Sequence, residues 1–112
     1  MLLHVVLFRP RAGLSDLERE SMLTAMHEAA NGIPSVRRFH VGVRVKFGAH
    51  YEAQMTEDFP FVGVIEFDNL AGLQEYLEHP LHHRLGEMFY SLSDGSLAYD
   101  YQAASEKEAF EV

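Results

Sequence analysis

The chain has 112 residues, which is enough for one domain with a single apolar core and too short for two. A formal net charge of −8 argues against nucleic acid and anionic membrane surfaces as partners, because both attract clustered lysine and arginine. With 47% apolar residues the chain is globular, and without cysteine it has no disulfide, thiol catalysis or zinc–thiolate site. The apolar N-terminal run is too short for a membrane span and lacks a cleavage region, so we expect a cytoplasmic protein.

The first two predicted elements are a strand and a helix. Residues 2–9 are apolar on both alternating faces and meet Pro10, which predicts a strand that is covered on both sides. Ser15 and Glu18 have the S-x-x-E spacing of a capping box, which predicts that a helix begins there. The Asn-Gly pair at 31–32 predicts its end.

Two further strands and a loop are predicted next. Residues 36–47 alternate an apolar-rich set with a polar set, which predicts a strand with one buried side and one solvent-facing side. Residues 48–58 have no periodicity and are expected to form an exposed loop. Residues 59–67 are apolar on both faces, so they predict a second strand that is covered on both sides.

The last third of the chain predicts two helices and a strand. Asp68 or Asn69 is expected to cap a short helix, and Pro80 both ends that helix and suits the first turn of the next one. The Asp-Gly pair at 94–95 predicts a turn into a final strand, residues 96–101. Residues 103–112 form an acidic tail that is expected to trail off or to dock on a neighbour.

The element order β-α-β-β-α-α-β predicts an α+β, ferredoxin-like fold with a four-stranded antiparallel sheet and helices on one face. One domain is expected to span residues 1–102. Helices cover only one sheet face, whereas two predicted strands are apolar on both, so a monomer would expose a large apolar patch. A symmetric homodimer, in which two sheets close face to face into a barrel, removes that exposure.

Four stretches resemble the Dabb family, the stress-responsive dimeric α/β-barrel proteins: MLLHVVLF at the start, GIPSV at 32–36, Tyr-x-x-His-Pro-x-His at 76–82, and Asp100-Tyr101. The resemblance covers roughly residues 2–102, and it implies a homodimer of ferredoxin-like subunits that needs no cofactor. One branch of the family is a plant polyketide (olivetolic acid) cyclase, which closes a poly-β-keto chain by aldol condensation. The more distant resemblance to that branch implies working groups at Tyr76 and His82, with His4 close by.

The sequence also indicates how Tyr76 and His82 can meet. Six positions on one unbroken helix leave two side chains roughly 120° apart, but Pro80 makes a corner between them. His82 lies on the same side of its helix as Leu85 and Phe89, so all three are expected to face inward, toward a ligand.

The other polar residues near this corner are expected to have structural or supporting roles. His4 lies in an apolar strand and needs a hydrogen-bond partner, either as a structural group or as part of a pocket. The partner of the His82 ring is expected to be Asp100, if its face of the strand carries the helices, or a backbone carbonyl. His79 and His83 are expected on the solvated outer side, and no metal site is expected, because His79 and His82 point in different directions.

Three functional hypotheses remain open. As an enzyme, the chain would be a cofactor-free cyclase, lyase or isomerase for a small, partly apolar carbonyl or acid compound, with His82 as base, Tyr76 as hydrogen-bond donor and Asp100 holding the imidazole. As a non-enzymatic stress-associated dimer, it would bind a small ligand or serve a structural role, with His82 as a satisfied core group. A haem or quinol monooxygenase-like role is the third, although no residue stands out as a haem ligand.

Overall fold

The computed structural model describes residues 1–111 of the chain. Its strands and helices follow in the order β1 (Leu2–Pro10), α1 (Asp16–Gly32), β2 (Arg38–Val43), β3 (Phe61–Phe67), α2 (Leu70–Glu78), α3 (Pro80–Leu92), β4 (Ser93–Gln102) and α4 (Glu106–Phe110). A short 3-10 helix, His50–Gln54, interrupts the long connection between β2 and β3. The α+β order predicted from the sequence is confirmed, with α4 as an addition in the acidic tail.

The four strands form one antiparallel sheet in the order β2-β3-β1-β4. Helices α1, α2 and α3 lie on one face of this sheet: α1 packs on α3, and α2 packs on β1 and β3. The molecule therefore has two layers, as in other ferredoxin-like folds. None of the described helices is both long and apolar enough to cross a membrane.

The strand register separates the sheet into a helix-covered face and an open face. His4 pairs with Ile65 on one side and Asp100 on the other, so these three residues share the helix-covered face. The core on that face consists of buried apolar side chains from both layers: Leu2, Ala25, Ala29, Ile33, Ile65, Phe67, Leu73, Tyr76 and Leu85. Val5 pairs with Val64 and with Tyr99, and this alternate set forms the open face.

The predicted solvent-facing and buried sides of β2 need a correction. The strand is shorter than the predicted 36–47, and on its supposedly buried side Val41 and Val43 are 51% and 68% exposed. The reason is that β2 is an edge strand and the helix layer reaches only as far as Phe39, which packs against the core. Periodicity identifies the two sides of a strand but not the width of the layer above them.

The turn predicted at Asp94-Gly95 is wrong. β4 begins at Ser93, directly after α3, and both residues lie within the strand. Arg9 donates from Nε to Asp94 at 2.6 Å, and a Cβ atom on Gly95 would lie 2.7 Å from the Arg9 guanidinium. Gly95 thus permits the close approach of Arg9, a packing role rather than a turn role.

The helix boundaries follow local capping chemistry as expected. Ser15 accepts from the Glu18 backbone N–H at 3.1 Å, and the Glu18 carboxylate accepts from the Ser15 N–H at 3.0 Å, which completes the predicted capping box. Of the two candidate caps for α2, Asn69 performs the role, since its side chain accepts from the Gly72 N–H at 3.0 Å.

Candidate functional site

The corner between α2 and α3 is built around Pro80. His79 has an extended backbone, with φ −72° and ψ 139°, and Pro80 opens α3 directly after it. The His79 ring accepts from the Leu81 N–H at 3.1 Å and so caps α3. His79 is therefore partly buried at the corner, which corrects the expectation that it is a solvated outer residue; His83 is exposed as expected.

This corner brings Tyr76 and His82 together. Their ring centroids are 4.6 Å apart, with the ring planes inclined by 54°. Tyr76 is only 2% exposed, whereas His82 is partly exposed. The Tyr76 ring also contacts Phe67, at 5.2 Å between centroids, so the phenol is held by the core on one side and by the imidazole on the other.

The protonation of the His82 ring follows from its backbone contact. Its Nδ1 lies 3.2 Å from the carbonyl oxygen of Leu77. A carbonyl oxygen only accepts, so Nδ1 carries the proton and Nε2 keeps its lone pair. Burial lowers the pKa of His82, and His4 nearby lowers it further, so the ring is neutral at neutral pH. A neutral imidazole with a free Nε2 is in the state a general base requires.

Tyr76 offers a phenol hydroxyl beside that base. Burial raises the pKa of Tyr76 well above its ordinary value, so the group stays protonated across the physiological range. Within residues 1–111, the hydroxyl makes no hydrogen bond to another side chain or to the backbone. The phenol therefore remains available as a donor to a ligand oxygen.

Asp100 supports a different histidine from the one expected. Its carboxylate lies 2.5 Å from Nδ1 of His4, its register partner on β1, rather than near His82. The predicted Asp100–His82 contact is thus corrected, whereas the alternative partner, a backbone carbonyl, is present in Leu77; Asp100 orients His4 instead. His4 is 6% exposed and its ring lies 5.8 Å from the Tyr76 ring, so the three rings of His4, Tyr76 and His82 form one row.

The row opens toward β4. Asp100 is 44% exposed at its side chain, and Ala98 on the same face of the strand is also exposed. The helix layer therefore leaves this edge of the sheet uncovered, and His4 connects the solvent-exposed carboxylate to the buried phenol.

The two apolar candidates lie in different surroundings. Leu85 is buried in the same core cluster as Tyr76. Phe89 meets Phe8 edge-on, with 4.7 Å between the ring centroids, farther toward the opposite end of β1. Neither side chain lines a cavity shared with His82.

The largest cavity lies at that opposite end, in a place the sequence analysis did not identify. It has a volume of about 510 Å³ between β1, α1 and the start of β3, with apolar walls that include Phe8, Leu14, Met22, Met26 and Phe61. Arg11 and Arg19 stand in its lining. The four-residue spacing of Met22 and Met26 was its only sequence signal, and such spacing is equally typical of core residues.

The main cavities do not include the Tyr76–His82 pair. None of the five cavities described along residues 1–111 has His4, Tyr76 or His82 in its walls. In the same part of the chain, no three histidine or carboxylate side chains converge in a way that could hold a metal ion. The site therefore presents acid–base groups without a preformed enclosed pocket around them.

A protein-family model, described as Stress responsive A/B Barrel Domain (Dabb), matches residues 2–103. The chain belongs to the Dabb family. The match covers nearly the whole chain and agrees with the ferredoxin-like order of its elements, so the Dabb domain and the described fold coincide. A search of curated proteins gave no significant match.

Solved structures share this fold. A protein from Arabidopsis thaliana is 23% identical to the Dabb chain, with a TM-score of 0.75 over 94% of this chain and 97% of that one. A dimeric ferredoxin-like protein of unknown function from Jannaschia sp. is 25% identical, with a TM-score of 0.69 over 91% and 98% of the two chains. The hydroxynitrile lyase of Passiflora edulis is 14% identical, with a TM-score of 0.76 over 92% and 93%.

Proposed function

We propose that this Dabb protein is a homodimer that binds a small, partly apolar carbonyl or acid compound and performs acid–base chemistry on it without a cofactor. The observation that carries the proposal is the fixed tautomer of His82. Its Nδ1–H donates a hydrogen bond to the Leu77 carbonyl, so Nε2 keeps its lone pair and can act as a neutral base. The ring of Tyr76, whose hydroxyl is unpaired, lies beside it. Cyclase, lyase and isomerase reactions all need such a pair.

The chemistry divides between the two side chains. Nε2 of His82 takes a proton from the carbon next to a substrate carbonyl, and the electron pair of that C–H bond moves to the carbonyl oxygen. The Tyr76 hydroxyl donates a hydrogen bond to this oxygen as its negative charge develops. The resulting enolate either attacks a second carbonyl of the same molecule or takes the proton back at a different carbon. His82 returns its proton in the final step.

The open face of the sheet supports the dimer. Large apolar and aromatic side chains remain half exposed there, including Leu97 at 40%, Tyr99 at 50% and Tyr101 at 53%. Soluble monomers avoid contiguous apolar patches of this kind. The Jannaschia protein with the same fold is described as dimeric, which is consistent with two sheets facing one another.

The lyase class has an additional reason for inclusion. The Passiflora edulis protein of the same fold is a hydroxynitrile lyase. Cleavage of a hydroxynitrile removes the hydroxyl proton, and the carbonyl forms as the C–CN bond breaks and cyanide leaves with its bonding electrons. The reaction therefore uses the same kind of base as the enolate chemistry above. Hydroxynitriles therefore belong in a substrate panel together with ketones and β-keto esters.

The deep burial of Tyr76 favours a second function, a dimer without catalysis. At 2% exposure, and without a cavity in contact with its ring, Tyr76 can serve as a core residue that packs against a satisfied His82. In that case His4 and Asp100 form a structural pair that anchors β4 to β1. The protein would then bind a ligand elsewhere or act through its assembly alone.

Exchange of α-protons tests the enzymatic proposal directly. Ketones and β-keto esters are incubated with the dimer in D₂O, and exchange is followed by NMR beside cleavage of the hydroxynitriles. We expect wild type to accelerate at least one of these reactions. In His82→Gln this rate acceleration should be about 10²–10⁴-fold smaller. Tyr76→Phe should lose a smaller part.

The matched control is His50→Gln, which changes an exposed histidine in the short 3-10 helix. It should retain the wild-type rate. Equal rates for wild type and His82→Gln across the panel would contradict the acid–base proposal. A wild-type melting temperature that rises with a panel compound, without turnover, would support the binding function instead.

A further inference from the structure

The acidic tail contains a helix that its own chain leaves bare. Ser105 caps α4 by accepting from the Glu108 N–H at 3.2 Å, and residues 106–110 are all exposed. Phe110 is 89% exposed. A helix of this length is not stable in water without a packing partner, and a fully exposed phenylalanine adds an unburied apolar surface. The helix therefore needs a surface on another molecule.

A complementary apolar groove lies between α1 and β2. A cavity of about 260 Å³ is lined there by Leu23, Met26, His27, Ala30, Phe39 and Val41. Three of these residues, Leu23, Met26 and Val41, also line the 510 Å³ cavity, so the two volumes form one continuous groove. Leu23 and Val41 are 62% and 51% exposed, which leaves its apolar walls open.

The strand order places a second copy's tail near this groove. The two free edges of the sheet are β2 and β4. When two sheets close face to face around a two-fold axis along the barrel, β4 of one copy meets β2 of the other. β4 ends at Gln102, which pairs with Leu2 at the start of β1. β2 begins at Arg38, whose partner Glu66 pairs with Leu3, so β2 begins at the same end of the sheet. The tail of one copy therefore leaves the barrel beside the start of β2 in its partner.

We propose that α4 of one copy docks in the α1–β2 groove of a second copy, with Phe110 in the 260 Å³ cavity. This inference rests on the proposed homodimer. Because the groove continues into the 510 Å³ cavity, each subunit's tail closes one end of the apolar cavity in its partner. The tail is thereby a component of the partner's binding surface.

Disulfide trapping tests the contact, since the natural chain has no cysteine. Two variants are prepared separately, Ala109→Cys, which keeps Phe110 in place, and His27→Cys; both positions are exposed, so neither change disturbs the core. They are mixed, exchanged into heterodimers and oxidised. Cross-linking should exceed that of an Ala109→Cys and Ala12→Cys mixture by about tenfold or more, because docking raises the effective thiol concentration toward millimolar. Ala12 is exposed at the far end of the groove.

The outcomes separate this inference from the dimer itself. Light scattering on each reduced variant first measures the oligomeric state. A stable dimer whose two mixtures cross-link equally slowly would overturn the tail contact and leave the dimer standing. Rapid cross-linking of Ala109→Cys with itself would also overturn it, because the tails would then meet each other. A monomer in every sample would overturn the dimer and the tail contact together.

Discussion

Each of the two central imidazoles is held by one fixed acceptor, but the acceptors differ in kind. His82 donates to a neutral carbonyl of its own corner, whereas His4 donates to the Asp100 carboxylate of a neighbouring strand. The row thus combines a histidine held within its own helix corner with one that joins β1 to β4.

Acid should destabilise the protein through His82. Burial lowers its folded-state pKa below the unfolded value of 6.5, so the unfolded chain takes up the proton first as the pH falls. The stability linked to this ring is present above pH 6.5 and is lost as the pH decreases toward the folded-state pKa. Urea unfolding measured at about pH 7.5 and at about pH 5.5 gives the loss in the free energy of unfolding between the two. This loss should be smaller in His82→Gln than in wild type. An unchanged loss in that variant, with His27→Gln as control, would rule out this assignment.

The His4–Asp100 bond should contribute measurably to stability. Asp100→Ala leaves the buried Nδ1–H of His4 without a partner, which costs about 1–2 kcal/mol in the free energy of unfolding. Asp100→Asn keeps an acceptor and should recover part of that loss. Chemical denaturation measures both values; identical stabilities for Asp100→Ala and wild type would show that water replaces the carboxylate.

Sequence reasoning named a backbone carbonyl or Asp100 as the partner of His82, but it could not choose between them. Pro80 alone shows that α2 and α3 must bend, and bending is sufficient to bring those two rings together. The partner of Asp100 depends on strand register, with His4 ninety-six positions away along the chain. Alternation places Asp100 on a face but does not select which neighbour on that face it meets.

Among the elements, α2 determines where the phenol lies. It spans only nine residues, is anchored at one end by the Asn69 cap and ends at the His79–Pro80 corner, and it carries Tyr76 in its last turn. A helix this short has little intrinsic stability, so its cap and its packing on β1 and β3 maintain it.

Removal of the Asn69 cap should therefore weaken both the helix and the site. Asn69→Ala removes the side-chain acceptor of the Gly72 N–H, which keeps only its contact with the Asn69 carbonyl, and should lower the free energy of unfolding by about 1 kcal/mol. Asn69→Asp retains an acceptor oxygen and serves as the matched control. Hydrogen exchange should show faster opening of α2 in the alanine variant; unchanged protection there would contradict the cap's role.

The strands were harder to predict than the helices for a related reason. Helix limits depend on local groups such as Ser15, Asn69 and Pro80, all visible in sequence. The exposure of Val43 and the strand position of Gly95 depend on elements that lie far away in the chain. Local chemistry was therefore predictable, and the extent of the helix layer was not.

At the scale of the whole molecule, the subunit is a slab. Its Cα extents are 47 × 40 × 18 Å, and its radius of gyration of 15.5 Å exceeds the value of about 13 Å typical of a compact chain of this length. Two layers, one bare sheet face and a projecting tail account for the excess. Association of two slabs would restore the surface-to-volume ratio of an ordinary globular protein.

Neighbouring substitutions on β3 should separate assembly from folding. Val64→Asp places a charge on the open face and should shift the protein to a folded monomer, because an unpaired charge between two sheets is costly. Ile65→Asp places the same charge in the core, where Ile65 is 2% exposed, and should unfold the chain. Light scattering measures the dissociation to a monomer, and circular dichroism measures the unfolding. A Val64→Asp variant that remains fully dimeric would refute the face-to-face arrangement.

The aromatic pair on the open face gives the protein an optical property. The chain has five tyrosines and no tryptophan, so its near-ultraviolet emission comes from phenols alone. Tyr99 and Tyr101 lie side by side on β4, 6.4 Å apart between centroids and half in water in the single subunit. In the proposed dimer these two of the five fluorophores leave water between the two sheets, so their emission should differ from that of the single subunit. Dilution of the unlabelled protein in a fluorimeter should therefore record the dissociation of the proposed dimer.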